Sequence, residues 1–210
     1  MSGFNLAGAA ILAISLVTSS VAVAAPDPYV VQVGSYVNQS GSGHTATVYQ
    51  SDATDHASID QSGQSNTATI DQFVGNNYAS ITQTGGPTNI AVISQSGGVR
   101  NGASIAQGGN DNQSTIDQTG LYNLALSDQS GSGNRLTVSQ TGDHNLTIAS
   151  QTGDHNTAFA TQTGSFSEPV IITQNGSGYY AMVTSTKAGL LPIVVNQTSP
   201  GGAPSVIVTH

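Results

Sequence analysis

From Gln39 to Gln174, apolar and polar positions alternate in short runs, and the runs recur at a nearly constant interval. The clearest passage, residues 129–162, reads QSGSGNRLTVS, QTGDHNLTIAS, QTGDHNTAFAT and a closing Gln. Counting each Gln as position 0, Gly tends to fall at +2, Asn at +5, a small or aliphatic residue at +7, Val, Ile or Ala at +9 and the next Gln at +11. Positions two apart share one face of a strand. Asn156, Ala158, Ala160 and Gln162 in one copy, and Asn145, Thr147, Ala149 and Gln151 in the copy before it, are therefore expected to point inward. Arg135, Thr137 and Ser139 are expected to face water. Positions +1 to +4 are turn-formers, with Gly supplying the positive φ of a tight turn. The pattern predicts a strand of about seven residues and a turn of about four. Two such units make one rung of a stacked-repeat architecture.

The register runs through Gln39, Gln50, Gln61, Gln72, Gln83, Gln95, Gln107, Gln118, Gln129, Gln140, Gln151, Gln162 and Gln174. Nine of the twelve steps are eleven residues and three are twelve, the extra residue being assigned to turns such as 85–88 and 165–168. The +9 column reads Val48, Ile59, Ile70, Ile81, Ile93, Ile105 and Ile116. The fold class predicted is all-β: a parallel β-helix-like solenoid of strand-turn-strand rungs with two facing parallel sheets in cross-β arrangement. The repeats predict six rungs, which at about 4.8 Å each give a rod about 30 Å long. An unpaired buried amide costs on the order of 1–3 kcal/mol, so the inward Gln and Asn need partners. Stacking supplies them: each Gln of the register, with Asn66, Asn77, Asn112, Asn123, Asn134, Asn145 and Asn156, is expected to bond its copy one rung away. These residues form the expected assembly ladder.

The two ends are different material. Leu6 to Val17 is an apolar run followed by Ala22-Val23-Ala24, the form of a secretory signal with an A-x-A cleavage site. A cut after Ala24 is preferred, because a cut after Ala25 would set Pro26 just beyond the scissile bond. A short membrane anchor is the alternative, and no other stretch is apolar enough to span a bilayer. The chain thus divides into a signal (1–24), an N-terminal segment (25–38), the repeat solenoid (39–184) and an irregular closing segment (185–210). In the last, Val194, Gln197 and residues 206–208 suggest one or two closing strands. Lys187, Pro192, Pro200 and Pro204 predict a partial cap, since proline and charge discourage edge pairing.

Composition narrows the function classes. With no Cys, stability must come from backbone pairing and packing. A hydrophobic content of 37% would by itself suggest disorder, and the periodicity overrules it. Three cations (Arg100, Arg135, Lys187) against eleven acidic residues leave a net charge of −8, which excludes grip on nucleic acid. No catalytic, cofactor-binding or metal site is expected. His144 and His155 lie in identical turns on opposite edges, one half-rung apart, and are read with His44 and His56 as solvated turn residues. Asp60, Asp71, Asp117 and Asp128 each precede a Gln on the outward face with Thr82, Ser94, Ser139 and Ser150 one rung on, a spacing that avoids like-charge contact. A monomeric secreted solenoid acting as an adhesin or ice-binding protein is the alternative. The Thr45/Thr47 and Thr67/Thr69 row, however, is broken by Ile90/Val92, Arg135 and Phe159.

The phrase Ser/Ala-x-Ile/Val-x-Gln-x-Gly-x-x-Asn-x-Ala, as at 58–68 and 104–114, resembles the curlin repeat, that of the subunits of curli, extracellular amyloid fibres of bacterial biofilms. The resemblance covers about residues 36–197. It implies a structural subunit rather than an enzyme, without cofactors. It further implies export unfolded through a dedicated outer-membrane pore and polymerisation with copies of itself on the cell surface once a nucleator subunit starts it, without stable membrane insertion. The fibre would serve adhesion and the biofilm matrix. This chain has more half-repeats than five-repeat curlins and an irregular C-terminal end.

Overall fold

Gln and Asn facing inward, Ala and Ile between them, and Gly in the turns leave the chain one economical solution, a flat coil repeated along an axis. The computed structural model describes residues 12–17, 34–189, 191–198 and 205–210. The strands are β1 (Leu12–Val17), β2 (Gly34–Ser42), β3 (Thr45–Gln50), β4 (His56–Gln64), β5 (Thr67–Gln72), β6 (Tyr78–Thr84), β7 (Ile90–Ser96), β8 (Gly102–Asn110), β9 (Gln113–Thr119), β10 (Leu124–Ser132), β11 (Arg135–Thr141), β12 (Leu146–Asp154), β13 (Thr157–Thr163), β14 (Val170–Asn175), β15 (Tyr180–Ser185), β16 (Ile193–Gln197) and β17 (Ser205–Thr209). Even-numbered strands β2 to β16 form an eight-stranded sheet, and odd-numbered strands form a nine-stranded one. From β2 onward every pairing is parallel and joins alternate repeats, as in Gln129↔Gln151 and Gln140↔Gln162. The β-solenoid of two parallel sheets predicted from the repeat period is the observed fold.

The rod is longer than the Gln register alone implies. β14 to β17 continue both sheets, with Gln174↔Gln197 and Val183↔Val208 in register, so the eight strands of the even sheet make eight rungs rather than six. β16 and β17 thus supply a further rung where the closing segment was expected to be irregular. Pro192 is compatible with this because it precedes β16, as Pro169 precedes β14, and a residue before a strand need not donate to the ladder. The twelve-residue steps leave the strands in register: Gln72 pairs Gln95, and the added residue lies in the turn. β1 differs in kind, lying antiparallel on β3 with Leu12↔Gln50 and Val17↔Thr45. The cleavage site inferred at Ala24, together with Pro200 and Pro204, falls outside the described residues.

The core is two facing rows of Ala and branched aliphatics. Ala68, Ile70, Ala79, Ile81, Ala91 and Ile93 are wholly inaccessible to water. Opposed sheets lie about 10 Å apart, a gap that one Ile and one Ala fill between them. Where the aliphatic row fails, hydroxyls pair: Ser114 and Ser127 meet across the core at 2.7 Å, and Thr147 donates to Gln162 Oε1 at 2.7 Å. A buried hydroxyl without a partner would cost on the order of 1–3 kcal/mol.

The turns explain the glycines. Gly131 has φ 114, and a Cβ there would lie 2.1 Å from the carbonyl oxygen of Gly153 in the next rung. Two residues later in the same turn, the +4 residue takes a left-handed conformation whether or not it is Gly, as at Asp111 (φ 54), Tyr122 (φ 57) and His155 (φ 58). That conformation is uncommon for residues with a side chain, and stacking of identical turns holds it here.

Candidate assembly surfaces and internal ladders

The Gln side chains form two internal columns, one per sheet. In the even sheet Gln39, Gln61, Gln83, Gln107, Gln129, Gln151, Gln174 and Gln197 follow one another, each Nε2 donating to the next Oε1 at 2.7–2.8 Å. In the odd sheet Gln50, Gln72, Gln95, Gln118, Gln140 and Gln162 do the same at 2.8 Å. From Gln61 on, the even-sheet amides also donate to a backbone carbonyl of the facing sheet, as Gln129 does to Gln113 at 2.9 Å. Both hydrogens of the amide and its oxygen are used, which is how a wholly buried polar row is accommodated.

All bonds in a column point the same way, so the rod has direction. At its N-terminal end Gln39 Oε1 is shielded from water and has no hydrogen-bond partner among the described residues. Gln197 closes the even column at the other end, where its Nε2 donates to Tyr180 O at 3.1 Å. The odd column stops sooner: Ser185 takes the place above Gln162, and its Oγ is buried without a partner among the described residues.

Asparagines line the two edges. Along one, the backbone N–H of Asn89, Asn112, Asn134, Asn156 and Tyr179 each donates to the preceding Asn Oδ1, beginning at Asn66, at 2.9–3.1 Å. Along the other, Asn101, Asn123, Asn145 and Ser167 do so above Asn77. Asn89 and Asn101 were not among the seven asparagines expected, because they lie within twelve-residue steps and sit at +6 from their Gln.

The first rung carries two substitutes. His44 occupies the Asn place on one edge, 2% exposed, accepting the Asn66 N–H at Nδ1 (3.3 Å) with Nε2 3.1 Å from Ser40 O. The reading of His44 as a solvated turn residue is therefore corrected: at +5 from Gln39 it falls in the inward column, and position outweighs residue type. Asp55 takes the same place on the other edge, wholly buried, with Oδ1 accepting the Asn77 N–H at 2.9 Å and Oδ2 unpartnered among the described residues. Loss of solvent pushes the Asp55 carboxyl above the usual carboxylate range, with the Asn77 N–H opposing and the charge of Asp52 adding to the rise. Asp71 and Asp117 are raised by burial as well.

His144 is exposed but not isolated. Its ring stacks between Tyr122 (4.8 Å, 17° between planes) and Phe166 (4.4 Å, 9°). Below them the Arg100 guanidinium lies 5.5 Å from the Tyr122 ring centroid and donates to its hydroxyl at 2.8 Å. The rung spacing of about 4.8 Å is a stacking distance for flat groups. The signal was present in the sequence, at +4 of every second repeat, but only the pairing of alternate strands makes it a column. His155 lies on the opposite edge. Asp60, Asp71, Asp117 and Asp128 face outward beside Thr82, Ser94, Ser139 and Ser150. Among the described residues no group of three or more His, Cys, Asp or Glu could hold a metal ion, and no helix is long and apolar enough to cross a membrane.

What the geometry presents is a repeat that satisfies its buried amides only by stacking, and the family comparison gives that repeat its name. The curlin associated repeat matches residues 55–85, 109–142 and 134–164. These stretches of the chain carry the curlin associated repeat. No curated protein is significantly similar to the chain. The matched curlin repeats coincide with β4–β6 and β9–β13, where the Gln and Asn columns are unbroken.

Proposed function

We propose that this chain is a secreted structural subunit that polymerises by adding rungs end to end into an extracellular, curli-like amyloid fibre. The observation that carries this reading is the even-sheet Gln column. It runs from β2 to β16 in one direction and begins with an acceptor, Gln39 Oε1, that has no partner among the described residues. A second copy stacked so that its β2 lies on β16 continues every column of that sheet in register. Its backbone closes the row of N–H and C=O groups that soluble sheets otherwise protect. Gln39 to Gln174 and the named asparagines are then assembly residues as well as internal ones.

The curlin associated repeats support the remaining parts of the proposal. These are export unfolded through an outer-membrane pore, a nucleator subunit that starts growth, a place on the cell surface, and a role in adhesion and biofilm matrix. The segment 1–24 would be the export signal. The test is dilution of the chain from Ala25 onward out of denaturant, followed by thioflavin-T fluorescence and negative-stain microscopy. Fibres are expected after a lag that preformed seed removes. A chain that remains monomeric by sedimentation in the presence of seed would favour the adhesin reading instead.

A further inference from the structure

The outer face of the even sheet changes character half-way along the rod. One outward column reads Tyr36, Ser58, Ser80 and Ser104 through β2 to β8. It then becomes Leu126, Ile148, Ile171 and Val194 through β10 to β16. Leu124 and Leu146 stand beside the start of the apolar half, paired across β10 and β12. Leu124, Leu126, Ile148 and Val194 are 42%, 38%, 38% and 59% exposed. The next outward column, with Asp128 and Ser150, is polar again and forms a rim. Nothing in the solenoid's own packing requires this strip, since the same column is serine in β4, β6 and β8.

We propose that the strip is a lateral seam, at which two fibres of this chain lie side by side; the inference rests on the polymer reading above. Size selects this occupant. Four strands about 4.8 Å apart by two columns about 7 Å apart give roughly 100–200 Å² of face, against about 800 Å² per partner in a stable interface. Paired single molecules would not hold. Stacked end to end, however, the copies repeat the strip about every 38 Å, eight rungs of about 4.8 Å. Many weak contacts on two rigid rods act together, and avidity rises by orders of magnitude without any stronger single contact. Charge agrees: the chain carries −8, which opposes an anionic lipid surface, whereas the strip itself has no charged side chain. A second fibre brings a matching uncharged apolar block of the same width, framed by the same polar rim.

The experiment compares fibres of the chain from Ala25 with those of the double variant Leu126→Ser, Ile148→Ser, serine being the residue of that column in β4, β6 and β8. Seeded thioflavin-T kinetics read axial growth, while low-speed pelleting and fibre width in negative stain read lateral pairing. The variant is expected to elongate at the wild-type rate while its low-speed pellet falls by about tenfold, the loss of an avidity-linked contact. Ser58→Leu with Ser80→Leu, which lengthens the strip, is expected to widen the bundles. Variant fibres that bundle like wild type overturn the seam. So do wild-type fibres that remain single yet coat apolar beads, which would assign the strip to a foreign surface. Absence of fibres from the wild type would instead overturn the polymer reading beneath it.

Discussion

The two sheets of the solenoid are built from the same repeat and differ at their ends. The even sheet carries a Gln in every strand from β2 to β16, and its outermost strands have no neighbour beyond them among the described residues. In the odd sheet the Gln column ends at Gln162, with Ser185 above it. Inside the rod the difference is invisible, since both columns bond at about the same distance. At the ends it decides which edge can template a copy. In-register parallel growth needs the same residue types to meet, and a ladder continues only where its last member is an amide. The even sheet meets that condition at both ends and the odd sheet does not.

The largest effect tests whether the sheets are alike inside. Gln129→Leu removes the acceptor of Gln107, the donor to Gln151 and a bond to Gln113 O. Gln140→Leu does the equivalent in the odd sheet, to Gln118, Gln162 and Leu124 O. Each is expected to cost about 2–5 kcal/mol, from orphaned buried groups at about 1–3 kcal/mol each. The denaturant midpoint of fibre dissociation measures it, and clearly unequal shifts would break the comparison.

The next effect concerns the first rung. A carboxyl whose folded pKa is raised contributes stability that is fully present below its ordinary value of 3.8 and lost as pH rises through the folded value. Asp55 therefore favours the fold in acid and weakens it toward neutrality, and Asp71 and Asp117 act in the same direction. Asp52 runs the other way, since its bonds from Thr54 hold its carboxyl low and that contribution is lost only as pH falls through the lowered value. Asp55→Asn restores the residue found at this place in later rungs. It is expected to gain about 1–3 kcal/mol at pH 7, the cost of an unsatisfied buried group. It should also flatten the rise in assembly rate on acidification, read as lag time against pH.

A smaller gain should come from extending the shorter ladder. Ser185→Gln places an amide above Gln162 where a buried hydroxyl now lacks a partner among the described residues. About 0.5–1.5 kcal/mol of added stability is expected, one net hydrogen bond, visible as a higher midpoint. If growth is read mainly through the even sheet, seeded elongation should change less than stability does. At the foot of the scale, Thr137→Ser alters only the outward face of β11 and should shift the midpoint by less than about 0.5 kcal/mol.

Much of this molecule was legible from residue order. Alternation with a period of two assigned Ala68, Ile70 and Gln72 to the interior, and the eleven-residue recurrence made the fold a stack of like units. Those are local properties, set by strand geometry and by the penalty on unpaired buried amides. The sequence could not rank one repeat against another, because along the chain all repeats are equivalent. Folding separates them: consecutive repeats enter opposite sheets, so each residue's neighbours lie 22 to 24 positions away. That step drew Asn89 and Asn101 into the columns despite their shifted count, and placed His44 and Asp55 where asparagine otherwise stands. It also stacked Tyr122, His144 and Phe166 and gathered Leu126, Ile148, Ile171 and Val194 into one strip. The interior was written into the linear period; which residues meet along the axis, and how each sheet ends, was decided only by the pairing of alternate strands.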